Sequence, residues 1–177
     1  FPHRGIFAGQ GAVINLAGDK PAQMVVATPV AQYISIARSA DSFGGGFPGS
    51  LMGMIAYVRQ LYIDADHYKQ VKAAYTANPR GMLRPDYDRA LEGLLESPRA
   101  LLPASRAVEI ERMIRFGAEL KQPVILYGAH EAYRAADLLA KSKTPVLVSL
   151  KWPERRRDVD PELIEPLRTL ELREKAP

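Results

Sequence analysis

The sequence contains no cysteine. That absence removes disulfides, thiolate nucleophiles and any zinc site built on sulfur. Only three histidines are present, His3, His67 and His130, and no two form a His-x-His pair. No run of eighteen apolar residues occurs, so no membrane span is expected. The compartment stays open between cytoplasmic and periplasmic or secreted for a soluble chain. A basic face is missing as well. The 24 Lys and Arg residues are scattered among 20 acids for a net charge of +4. The one basic triplet, Arg155-Arg156-Arg157, sits in a segment, 151–177, with seven basic and seven acidic residues. A nucleic-acid partner would call for a one-sided basic stripe with aromatics, and none is expected. The first residue is Phe1 rather than Met, with nothing like a signal peptide after it. The chain therefore reads as a processed or cloned piece of a longer polypeptide.

What is present is ordinary globular material. At 177 residues, 47% hydrophobic and 25% charged, the chain suits a single α/β domain with a sizeable core. Residues 1–40 are apolar and rich in β-formers. Residues 11–16, 24–26 and 30–36 read as strands of a small antiparallel unit, punctuated by Gly18-Asp19-Lys20-Pro21 and Pro29. Residues 41–49 are a Gly-rich loop. Such a loop before a helix can cradle phosphate through backbone N–H groups, but the Lys-Ser/Thr pair of a P-loop is absent, and a plain connector is the simpler reading.

Residues 50–98 read as helical. Ser50 is a good N-cap, and Leu51, Met54, Ile55, Val58, Leu61 and Tyr62 follow a 3.6-residue spacing toward a stop at Asn78-Pro79. A second helix is expected over 86–96, capped by Asp86. Residues 99–177 are the most regular. They read as a strand at 100–104, a helix at 106–120 capped by Ser105, a strand at 123–127, a helix at 131–142 and a strand at 145–150. A last helix is expected over 161–172, with Asp160 as cap and Pro166 interrupting it. Short joints between these elements make a parallel βαβαβ pattern, and the strands are continuous apolar runs, as when both faces are covered.

Parallel α/β folds gather their active groups at the carboxyl ends of the strands. The candidates are Pro103-Ala104-Ser105, Tyr127-Gly128-Ala129-His130 and Ser149-Leu150-Lys151. Ser105 lacks a G-x-S-x-G elbow and has a ready structural task as a cap. His130 can move a proton or bind a metal, and it equally suits the start of a helix. Lys151 can meet an anion or simply be solvated, and Tyr127 ends a strand that packs. Asp64 and His67 stand three apart on the long helix, where they can share a metal, but a site needs three or four ligands and a solvent-facing pair is the simpler reading.

Several stretches together carry a resemblance. They are residues 5–16 (GIFAGQGAVINL), 47–53 (FPGSLMG) running into Tyr57-Val58-Arg59-Gln60, 103–107 (PASRA) and 128–137 (GAHEAYRAAD). This pattern resembles imidazolonepropionase-related amidohydrolases over most of the chain. The resemblance implies a partial TIM barrel: βα units from the middle of a (β/α)8 barrel, preceded by the small β unit and the long helix. It further implies a parent that is a metal-dependent hydrolase of C–N bonds in cyclic amides or peptide-like substrates. In that family a His-x-His pair, histidines on the fifth and sixth strands and an Asp on the eighth hold a divalent metal such as zinc, which activates water. This chain departs from the pattern. It has no His-x-His, Pro103 stands where relatives can have His, and Tyr127 stands where a His can precede the glycine. The expectation is a chain without metal of its own and inactive alone, in which Ser105, Arg106, Tyr127 and His130 line the substrate end. The alternative is a non-catalytic binding or assembly module on the same scaffold. Exposed sheet edges predict a homo-oligomer.

Overall fold

Ala100–Ala104 (β3) is buried at every position except Pro103, and it lies at the centre of the sheet. A run of this kind has no polar face to offer solvent, so it must be covered on both sides and flanked on both edges. The computed structural model, which describes residues 5–18, 20–36, 48–154 and 164–175, shows how this is done. The Gly-rich segment up to Phe47, the Arg155–Arg157 triplet, the cap Asp160 and His3 lie outside the described residues.

The sheet has five strands in the order β1-β2-β3-β4-β5. Phe7–Ile14 (β1) runs antiparallel to Val25–Ile34 (β2), with the short helical turn Pro21–Met24 (α1) between them. β2 runs parallel to β3, β3 to Val124–Gly128 (β4), and β4 to Val146–Val148 (β5). The four parallel strands curl into a half-barrel. The sequence announces three of them. The fourth, β2, reads as part of a separate antiparallel unit because its parallel pairing with β3 involves only Gln32 and Tyr33, more than sixty residues before their partners Ala100 and Leu101. Pro29 lies inside β2 rather than ending it. The β1–β2 register slips between Gly11↔Ala31 and Val13↔Ala27, and a bulge is where a strand tolerates a residue without an N–H.

Leu51–Ala77 (α2) is the crossover from β2 toward β3, and Ser50 caps it by accepting the Gly53 N–H at 3.0 Å. Arg89–Glu96 (α3) completes the return. Its cap is Asp88 rather than Asp86, since the Asp88 carboxylate accepts from both Ala90 and Leu91 N–H. Ala107–Glu119 (α4) links β3 to β4. After β4 comes a 3-10 turn, Ala132–Ala135, and then Ala136–Ser142 (α5), so helical geometry over 131–142 begins tight and relaxes. Leu167–Glu174 (α6) is the last element, and Pro166 starts it rather than interrupting it.

The core joins one face of the sheet to the helices. Ile34, Ala100, Leu102, Ala104 and Leu126 pack against Met54 and Val58 of α2 and Ile110 and Phe116 of α4. Alternation along the strands turns Tyr33, Ile125, Tyr127 and Leu147 to the other, concave face. Arg59 of α2 pairs with Glu119 of α4 and lies over the Phe116 ring. No helix among the described residues is long and apolar enough to cross a membrane.

Gly117 sets the distance between α4 and β4, because a Cβ there would overlap Val124 Cγ1. Gly117→Ala is expected to destabilise the fold by about 1–3 kcal/mol through overpacking. Val124→Ala in the same chain should recover part of that loss. Urea unfolding of the two single variants and the double variant checks the coupling, and strict additivity would rule the contact out as the cause.

Candidate functional site

The carboxyl ends of β3, β4 and β5 are woven into one junction by backbone hydrogen bonds. Ala129 N–H donates to the Ala104 carbonyl at 2.8 Å, Glu131 N–H to the Ser105 carbonyl at 3.0 Å, and Ser149 N–H to the Gly128 carbonyl at 2.9 Å. The chain turns sharply there. Gly128 has φ +97°, and Ala129, fully buried, has φ +43°. Glycine at 128 avoids both the left-handed penalty and a Cβ that would stand 3.0 Å from Ser105 Oγ. Ala129 has no such relief, and left-handed backbone at a non-glycine residue costs of order 1–3 kcal/mol, which the surrounding bonds must overcome.

His130 is half-buried in this turn. Its Nε2 lies 2.9 Å from the Lys151 carbonyl, and its ring meets Trp152 edge-on at 5.5 Å. A carbonyl can only accept, so this bond places the proton on Nε2. Ser105 lies beside Gly128, but it is not the cap of α4. Glu109 reaches back instead, and its carboxylate accepts from Ser105 N–H at 2.9 Å and Arg106 N–H at 3.0 Å. Arg106 occupies the N-cap position and points its exposed guanidinium to within 3.8 Å of Glu109. Tyr127 stacks on Tyr33 at 5.0 Å, and its hydroxyl donates to the Ile34 carbonyl at 3.3 Å. Burial pushes that hydroxyl up from the usual phenol range, and interaction with Tyr33 adds to the effect. Lys151 is solvent-exposed and supplies its backbone rather than its side chain.

The residue that sequence reading misses is Glu131. It is buried, at 7% exposure, one position after His130. Its Oε1 accepts from Arg168 Nε of α6 at 2.7 Å, and its Oε2 accepts from Ala107 N–H at the first turn of α4 at 3.1 Å. Burial works to raise this carboxyl. The Arg168 and Ala107 hydrogen bonds, with the charges of Arg168 and Arg134, outweigh it and hold the carboxyl below the usual glutamate range. In the sequence an acid at a helix start is routine, and its partner lies 37 residues away.

A metal does not fit this junction. No group of three or more His, Asp or Glu residues among the described residues is placed to hold one. Both Glu131 oxygens are engaged, and Pro103 and Tyr127 face each other in register where donors would be needed. His67 is exposed on α2, and Asp64 accepts from Gln60 Nε2 at 2.7 Å. An open groove of about 800 Å³ lies between α2 and α4, bordered by Leu51, Ile55, Met113 and Phe116, and it touches the strand ends at Pro103 but not at Ser105, Tyr127 or His130.

No protein-family model matches the chain, and no curated protein matches it significantly. Among solved structures the chain is similar to an amidohydrolase from Thermotoga maritima MSB8, with a TM-score of 0.69 and 22% identity. The match covers 85% of this chain and 41% of that one, so the chain spans about two fifths of that protein's length. At this identity the likeness establishes the fold alone, a partial α/β barrel.

Replacing Glu131 tests the junction. Glu131→Leu leaves the Ala107 N–H without a partner and is expected to cost about 1–3 kcal/mol at neutral pH. The sign with pH follows from the lowered carboxyl. The stabilisation is fully present above the unfolded glutamate value of about 4.3, and it fades as pH falls through the lower folded value. Urea midpoints of the two proteins should therefore converge only in acid. A gap that stays constant down to pH 2 would show that the carboxylate charge is not the source.

Proposed function

We propose that this chain supplies the middle βα units of an amidohydrolase-type hydrolase related to the imidazolonepropionases, acting on C–N bonds in cyclic amides or peptide-like substrates. The gathering of Ser105, Arg106, Tyr127 and His130 around the carboxyl ends of β3 and β4 supports this reading, because that end of a parallel barrel is where substrates are received. The chain is inactive by itself in this reading. The divalent metal, such as zinc, that the resemblance implies has no ligand set among the described residues. The residues present bind and orient. Tyr127 and Tyr33 offer a flat aromatic wall, and Ser105 and His130 offer hydrogen bonds.

One observation favours a second reading, a binding or assembly module without chemistry. Tyr127 takes the place of a possible histidine and is integrated into the concave face by stacking and by its bond to Ile34. Elemental analysis and calorimetry separate the two readings. The first predicts substoichiometric metal, no turnover, and binding of a five-membered cyclic amide such as hydantoin. His130→Ala and Ser105→Ala should each weaken that binding about fivefold, the worth of one net hydrogen bond. Absence of hydantoin and N-acetyl amino acid binding would favour the module. Stoichiometric metal that resists chelation would overturn the assignment of the strand ends to substrate alone.

We further propose that two copies associate through β5. β1 shields the outer edge of β2, whereas β5 ends the sheet with no strand paired to its outer edge among the described residues. Leu147 and Val148 there are each 51% exposed. An unprotected apolar edge pairs readily with another chain. Light scattering should give a dimer mass, and Val148→Lys should give a monomer. A clean monomer of this chain at working concentration would refute the pairing.

A further inference from the structure

Three observations at the β4–α5 junction bear on one another. First, the His130 tautomer is fixed by its partner. With the proton on Nε2 and donated to the Lys151 carbonyl, a neutral ring keeps its lone pair on Nδ1, and none of the described hydrogen bonds uses Nδ1. Second, the ring has little freedom to turn, because Trp152 stands perpendicular to it at 5.5 Å. Third, the residue next to it is immobilised from three directions. Arg168 and the Ala107 N–H hold the Glu131 carboxylate, and the Glu131 N–H is bound to the Ser105 carbonyl. His130 cannot shift its backbone without breaking contacts to β3, α4 or α6.

We propose that Glu131 is a positioning residue that locks this turn so that His130 keeps its proton on Nε2 and presents Nδ1 as a hydrogen-bond acceptor. A ligand atom facing Nδ1 must then be a donor, which selects the N–H edge of an amide. That last clause rests on the substrate reading given above. The alternative of an anion at the start of α4 is already closed off. Glu109 takes the Ser105 and Arg106 N–H groups and Glu131 takes that of Ala107, so two carboxylates fill the place a ligand anion would use.

Long-range ¹H–¹⁵N spectra of the imidazole rings test the inference directly, with the His130 signals assigned from a His130→Gln chain. The wild-type protein should show a single Nε2–H tautomer for His130. Glu131→Ala, in protein that keeps its dispersed amide spectrum, should show both tautomers in exchange. Arg168→Met retains the Ala107 bond and serves if Glu131→Ala does not fold. It should show a smaller shift in the same direction. A merely structural Glu131 would lower the unfolding midpoint and leave the tautomer of the folded protein unchanged, and that result would overturn the proposal. So would an Nδ1–H tautomer in the wild-type chain. Hydantoin added to the wild-type chain should move the Nδ1 resonance. An Nε2–H tautomer that responds to Glu131 but not to hydantoin would support the positioning role and count against the substrate reading.

Discussion

The strand-end junction depends on one buried carboxylate. Removing a glutamate from water costs several kcal/mol, and the cost is met only where the remaining geometry supplies charge and hydrogen bonds. Glu131 has both, from the Arg168 guanidinium on one oxygen and a backbone N–H at the positive end of α4 on the other. The consequence is topological as much as energetic. A single side chain joins the start of α4, the turn after β4 and the last helix, which are far apart in sequence. α6 gains a second tie from Arg134 to Glu171 at 2.8 Å and buries Leu172, so its seat on the barrel is part ionic and part apolar.

That lock explains why the turn tolerates backbone that would otherwise relax. Gly128 and Ala129 both have positive φ, and both are tied down: Ala129 N–H donates to the Ala104 carbonyl of β3, and the Gly128 carbonyl accepts from Ser149 N–H just past β5. Left-handed geometry persists where surrounding bonds over-determine it. The same constraint governs the two edges of the sheet. β1 is a long edge strand, and its three register shifts twist it away from regular pairing, a common protection against further strands. β5 has only three residues and no bulge, and its protection must come from whatever lies beside it.

Much of this was legible from local signals. The long helix shows its bounds in the sequence, Ser50 at one end and Asn78 at the other, because capping chemistry is local. The β3-α4-β4-α5-β5 pattern is legible because buried parallel strands are uninterrupted apolar runs with short joints. What escaped depends on distant partners. β2 joins the parallel sheet only through Gln32 and Tyr33, and nothing near them announces Ala100 and Leu101. Ser105 has the composition of a cap, yet α4 starts one residue later, with Arg106 at the N-cap position and Glu109 reaching back to the Ser105 and Arg106 N–H groups. Ser105 and His130 were identified by position alone, and Glu131 between them and α6 was not, since its role exists only once Arg168 is folded against it.

The arrangement also bears on what kind of chemistry these units can supply. A side chain that serves as a metal ligand or general base needs a lone pair directed at open space and a partner that fixes its tautomer. His130 meets the second condition through Lys151, and none of the described hydrogen bonds uses its Nδ1. Among the described residues, the junction acids Glu109 and Glu131 are engaged by backbone N–H groups and a guanidinium. An imidazole with these two carboxylates so engaged can accept a hydrogen bond and hold a ligand in one orientation. In the proposed reading these strand ends contribute recognition, and bond-breaking in a complete barrel draws its charged groups from other strands.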